Sequence, residues 1–150
     1  FTSVSQGAIY LRDFFEFFEI QPNIITPKNP LPFPNPIKQG FVFEDVGFRY
    51  HNSDNWANRH LSFTLQAGEK LALVGENGAG KTTLVKLLAR LYDAHEGRIL
   101  LDGTDLRDYD LFVLRRNTGI IFQDYLRSQL SFAQHIAVGN IDELDNRALI

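Results

Sequence analysis

The stretch Gly75-Glu76-Asn77-Gly78-Ala79-Gly80-Lys81-Thr82-Thr83 constrains this chain more than any other. It fits G-x-x-x-x-G-K-[ST], the phosphate-binding P-loop, with an additional glycine at 78. Glycines allow a tight turn in which successive N–H groups point into one anion-binding concavity. Lys81 can reach β- and γ-phosphates, and the Thr82 hydroxyl can ligate Mg²⁺. A helix opening at the loop adds its positive N-terminal end. The flanks suit that chemistry. Lys70-Leu71-Ala72-Leu73-Val74 is a short apolar run that predicts a buried parallel strand. Downstream, Leu84, Leu87, Leu88 and Leu91 recur at helical spacing, with Lys86 and Arg90 off that stripe. Strand, glycine loop and amphipathic helix in this order predict an α/β P-loop domain with a site for nucleotide phosphates.

Composition narrows the setting. A chain of 150 residues, 44% of them hydrophobic, can bury one real core. A net charge of −3 supplies no basic field, so no nucleic-acid partner is expected. Without cysteine there is neither a disulfide framework nor a thiolate metal site. The histidines, at 51, 60, 95 and 135, lack metal-ligand spacing. No apolar run approaches the ~20 residues that span a bilayer, and the N-terminus does not read as a signal peptide. The chain has no methionine and begins at Phe1, which predicts a fragment of a longer protein.

Taken in order, residues 4–20 predict a helix whose stripe of Val4, Ala8, Leu11, Phe15 and Phe18 is widened by Phe14 and Phe17. All six prolines follow between Pro22 and Pro36, the composition of an extended linker. Alternation over Gly40–Tyr50 predicts a strand bent near Gly47, and His60–Gln66 a second strand. Arg98–Leu101 reads as a strand closed by an Asp102-Gly103 turn. Asp105, Asp108 and Asp110 cap and flank a short helix over Leu111–Arg115. Thr118–Phe122 predicts a further apolar strand, and Ser131 and Asp142 are candidate helix N-caps.

Four pieces in this order resemble the nucleotide-binding domain of an ABC transporter of the exporter type. Phe48-Arg49-Tyr50 stands where that family places the aromatic of its A-loop, and Gly75–Thr83 resembles its Walker A. Ile120-Ile121-Phe122-Gln123-Asp124 resembles its Q-loop, at the family's spacing from Lys81. Tyr10–Glu16 with the proline linker resembles the junction to a preceding transmembrane helix. The resemblance implies an ABC-type P-loop NTPase fold, with an antiparallel β layer beside a partial parallel core, preceded by a helix and a proline-rich linker. Its domains would be a helical extension over 1–21, a linker over 22–39 and a nucleotide-binding domain over 40–150, incomplete at the C-terminus within the helical subdomain. It implies ATP and Mg²⁺ as cofactors. Gly75, Glu76, Asn77, Gly78, Ala79, Gly80, Lys81, Thr82 and Thr83 would hold the phosphates, with Thr82 and Gln123 on Mg²⁺. The Tyr50 ring can stack on adenine; its other reading is a core aromatic on an alternating strand. The implied partners are a transmembrane domain and a second nucleotide-binding domain, in a head-to-tail homo- or heterodimer at the cytoplasmic face of the plasma (inner) membrane.

Two stretches imitate other motifs of that family. Leu130-Ser131-Phe132-Ala133-Gln134 echoes the LSGGQ signature, but Phe132 and Ala133 occupy the places of its glycines, where backbone must approach phosphate. Asp102 ends an apolar strand as a Walker B aspartate would, yet glycine follows it where a catalytic Glu is wanted. Residues 1–150 hold no signature, no Walker B Asp-Glu pair, no D-loop and no switch histidine. ATP binding without efficient hydrolysis is therefore expected of this stretch alone. The rival readings are a soluble, non-transport ABC-type ATPase and a catalytically inactive, nucleotide-responsive module.

Overall fold

The computed structural model describes residues 2–51, 53–121, 129–131 and 134, and divides into the units Phe1–Gly119 and Ile120–Ile150. The first unit holds α1 (Thr2–Glu19), β1 (Phe41–Phe48), β2 (Asn58–Leu65), α2 (Lys81–Leu88), β3 (Glu96–Leu101) and β4 (Thr104–Asp105). A 3₁₀ turn over Leu106–Asp108 and α3 (Leu111–Arg116) complete it.

The sheet runs β2-β1-β3-β4, and every pairing is antiparallel. Alternation explains the burial: Phe43 on β1, with Ile99 and Leu101 on β3, sits in the core. Phe43 stacks on Phe63 across β1 and β2, with ring centroids 4.3 Å apart. Against this layer α2 lays Leu84 and Leu87, and Leu106, Tyr109 and Leu114 close the cluster. Residues spaced by three on α2 reach one surface because they share one helix face.

The bend expected near Gly47 is a register shift between Glu44 and Gly47. The residue that turns left-handed is Asp45, at φ 49°, because an acidic side chain tolerates that region. Gly47 serves close packing instead: a Cβ there would lie 2.9 Å from Glu96 Oε2 and 3.1 Å from the Trp56 ring. The Asp102-Gly103 pair closes a two-residue hairpin between β3 and β4, with φ of 50° and 81°. Asp105 caps the 3₁₀ turn through Arg107 N, and Asp110 caps α3 through Val113 N. Gln134 is helical and exchanges hydrogen bonds with Ser131, a capping box at the predicted N-cap.

Two expected strands are not formed. Residues 70–74 and 118–121 join no ladder, and Phe122 lies outside the described residues. A strand exists through its hydrogen-bonded neighbour, and among the described residues neither segment has one. Leu71, Leu73 and Val74 are accordingly exposed, Val74 at 95%. The parallel core that these segments would enter is absent among the described strands, while a four-stranded antiparallel layer is formed.

The proline linker is not a free spacer. Arg90 donates from Nη2 to Ile25 O at 3.1 Å, and Leu111 N donates to Thr26 Oγ1 at 3.1 Å. Leu31 N donates to Asp108 O at 2.8 Å. Lys38, Gln39 and Gly40 give their N–H groups to the Asp102 carboxylate at 2.8, 2.8 and 2.9 Å. Prolines bar a regular ladder, so these donors and acceptors of the linker are satisfied one at a time. On α1, Tyr10, Leu11, Phe14, Phe15, Phe17 and Phe18 are exposed, and Phe14 and Phe18 meet edge to face at 4.9 Å. No helix among the described residues is long and apolar enough to cross a membrane.

Candidate nucleotide site

The loop over 75–80 leads directly into α2. Gly78 and Gly80 take φ of 86° and 82°, a left-handed geometry that glycine adopts without strain. A Cβ on Gly80 would lie 2.4 Å from Ala57 O and 2.5 Å from Asn58 Nδ2, so the start of β2 packs directly on the loop. Asn58 Oδ1, beside it, is buried without a hydrogen-bond partner. Ala79 N donates to Glu76 O at 3.2 Å, turning the loop, and Leu84 N donates to Gly80 O at 3.0 Å, starting the helix.

Gly80 offers no side-chain cap, and no acidic residue lies in the first turn of α2. The leading N–H groups of a helix have no partner within it, and they carry the positive end of its dipole. The Lys81 ammonium curls back over the loop, donating to Gly75 O and Glu76 O at 2.6 Å each. A cation and uncapped N–H donors thus converge on one solvent-open cradle, since residues 75–79 are exposed. Such a cradle suits a chain of phosphates and is ill suited to a cation alone. Thr82 is exposed at its edge, where its hydroxyl would be available to hold a metal ion.

Thr83 behaves differently. It is buried, and its Oγ1 lies 3.1 Å from the Tyr50 hydroxyl. Tyr50 stands just past the end of β1, half-buried, with Phe48 and Tyr92 meeting it edge to face at 5.0 and 5.5 Å. Lys86 Nζ lies 5.6 Å from its ring centroid. The structure therefore brings Tyr50 and residues 75–83 together. Gln123 lies outside the described residues. Lys86, Tyr92 and Asn58 join the site without having been expected there. Of these, only Lys86 left a trace in the sequence, three residues beyond Thr83 and so on the same helix face.

Fold and site together define a P-loop nucleotide-binding domain. The sequence model of the ABC transporter family matches residues 58–148, and the chain belongs to that family. It is 35% identical over 152 residues to the mitochondrial iron-sulfur clusters transporter ATM1 of Saccharomyces cerevisiae, covering 95% of this chain and 22% of that protein. It is 39% identical over 143 residues to the beta-(1→2)glucan export ATP-binding/permease protein NdvA of Nitrobacter winogradskyi, covering 95% of this chain and 23% of that one. A bacterial ABC exporter solved with ATP bound superposes with a TM-score of 0.78 at 34% identity, over 92% of this chain and 24% of that one. The chain spans less than a quarter of the length of each of these relatives. The fold is that of an ABC ATPase domain.

Proposed function

We propose that this chain is the ATP-binding part of an ABC exporter that couples ATP hydrolysis to transport across a membrane. The observation that carries the reading is the convergence of the Lys81 ammonium and the uncapped start of α2 on one open loop, with Tyr50 fixed beside it. Gly75 to Thr83 would hold the phosphates, and Tyr50 would stack on adenine. Thr82 and Gln123 would hold Mg²⁺, whose charge offsets that of the phosphates. Phosphoryl transfer in such sites rests on positioning and charge stabilisation more than on covalent chemistry.

In this reading residues 1–21 extend from a transmembrane domain, 22–39 link it, and 40–150 belong to the nucleotide-binding domain. The partners are that transmembrane domain and a second nucleotide-binding domain arranged head to tail, at the cytoplasmic face of the plasma membrane. The names of the relatives, exporters and ATP-binding/permease proteins, support this assignment. Because residues 1–150 hold neither signature nor Walker B pair, this stretch binds nucleotide without hydrolysing it efficiently.

Calorimetric titration with Mg-ATP tests the site. Lys81→Ala removes a charge-assisted contact and should weaken binding by tenfold or more, on the order of 1.5–3 kcal/mol. Unchanged affinity would refute the assignment. Steady Mg-ATP turnover by residues 1–150, abolished by the same substitution, would overturn the non-hydrolytic part alone.

A further inference from the structure

We infer that Lys86 is a positioning residue for base recognition, its ammonium standing over one face of the Tyr50 ring and strengthening that ring as a stacking platform. The inference rests on the reading that Tyr50 stacks on adenine, and it leaves the phosphates to residues 75–83. Three observations carry it. Lys86 Nζ lies 5.6 Å from the Tyr50 ring centroid, within reach of a cation–π contact. Among the described residues no carboxylate pairs with this ammonium, whereas Arg59, Arg98 and Arg107 each hold one. Lys86 is half-buried, and a partly desolvated cation is costly unless some negative surface meets it. The face of an aromatic ring is such a surface.

Helix geometry delivers the contact. Lys86 follows Thr83 by three residues and so shares the helix face that meets Tyr50. Lys81, five residues earlier, points elsewhere and reaches Gly75 O and Glu76 O. One lysine of α2 thus stands over the phosphate loop and the other over the ring. Stacked aromatic faces both carry negative charge, and that part of their interaction is repulsive. A cation on the far face draws electron density away from the near one and relieves the repulsion. A base then stacks on the face that Lys86 leaves, more firmly than on a tyrosine without the cation. A place in the last turn of α2 also favours a cation through the helix dipole. Stability therefore cannot decide the matter; the base-dependent part of nucleotide affinity can.

The experiment measures dissociation constants for Mg-ATP and for Mg-tripolyphosphate, which has no base, by competition against a fluorescent ATP analogue. It uses the protein as its gene encodes it, with Lys86→Met, Lys86→Arg, Tyr50→Ala and the double variant Y50A/K86M. Methionine keeps the unbranched length and helix propensity of lysine without its charge. The expected result is that K86M weakens ATP about two- to fivefold more than it weakens tripolyphosphate, the scale of one cation–π contact. K86R, which keeps the charge, retains the ratio of the two affinities. Added to Y50A, K86M brings no further base-dependent loss, because the ammonium acts through the ring. A K86M variant that weakens both ligands by the same factor overturns the inference, since the charge would then serve the phosphates alone. So does a full base-dependent loss from K86M in the Y50A background, which would place Lys86 on the nucleotide itself. If Y50A weakens ATP no more than tripolyphosphate, the base-stacking reading falls, and the inference with it. Should K86M fail to fold, Lys86→Gln, neutral and also a good helix former, repeats the measurement.

Discussion

Arg90 shows how far a single side chain can depart from its sequence pattern. It stands just past α2, at φ 48°, and only 4% of its surface is exposed. Its guanidinium donates to Asp93 Oδ1 at 3.1 Å, Tyr109 O at 3.4 Å and Ile25 O at 3.1 Å. Its own carbonyl accepts from Arg115 at 2.7 Å. The planar fork of arginine suits several acceptors at once, which an ammonium cannot match. We predict that Arg90→Ala destabilises the fold by about 2–4 kcal/mol, because it strands the buried Tyr109 carbonyl as well as removing packing. Arg90→Lys should recover only part of that loss. Urea denaturation measures both, and a shift in midpoint no larger than for an exposed arginine would refute the role. The helical period placed Arg90 off the apolar stripe, which normally means solvent. Its burial depends on carbonyls supplied by Ile25 and Tyr109, and no local pattern announces those. Lys81 and Tyr50 could be singled out for the opposite reason: the places expected of them are tied to fixed spacings along the chain.

At the scale of elements, the P-loop helix, strands β1 to β3 and the Asp102-Gly103 turn follow directly from period and turn chemistry. The segments over 70–74 and 118–121 do not, since an apolar run reports a wish for burial but not the neighbour that provides it. Asp102 illustrates an element built by one side chain. As well as turning the hairpin, it gathers the N–H groups of residues 38–40. The Lys38 N–H lowers its carboxyl pKa most; desolvation opposes this, and the Gly40 and Gln39 N–H groups add to the lowering. A depressed folded pKa means that the stabilisation is present above the ordinary value of 3.8 and is lost as pH falls through the folded value. The amide proton resonances of Lys38, Gln39 and Gly40 should therefore titrate together at a pH below 3.8. Asp102→Asn, which tolerates the same φ, should abolish that titration while keeping the hairpin. Titration at or above the ordinary value would contradict the arrangement. Asp105 shows the same balance: burial pushes its carboxyl up, and the Arg107 hydrogen bonds pull it down by more.

For the molecule as a whole, the exposed apolar surface is the dominant fact. Leu71, Leu73, Val74 and Ile121 are uncovered, as are the aromatic residues of α1. Exposed apolar side chains in such number favour association in water. We predict that residues 1–150, purified alone, scatter light as species heavier than the 17.1 kDa monomer. Leu73→Lys together with Phe15→Lys should lower the mass. A clean monomer at micromolar concentration would show that these surfaces do not associate. The anchored linker has a mechanical consequence. Between Glu19, where α1 ends, and Ile25, where Arg90 takes hold, the chain runs through residues 20–24 alone. At about 3.5 Å per residue this leash reaches roughly 20 Å when taut. Any larger excursion of the phosphate-loop helix must either drag α1 along or tear Arg90 from its acceptors.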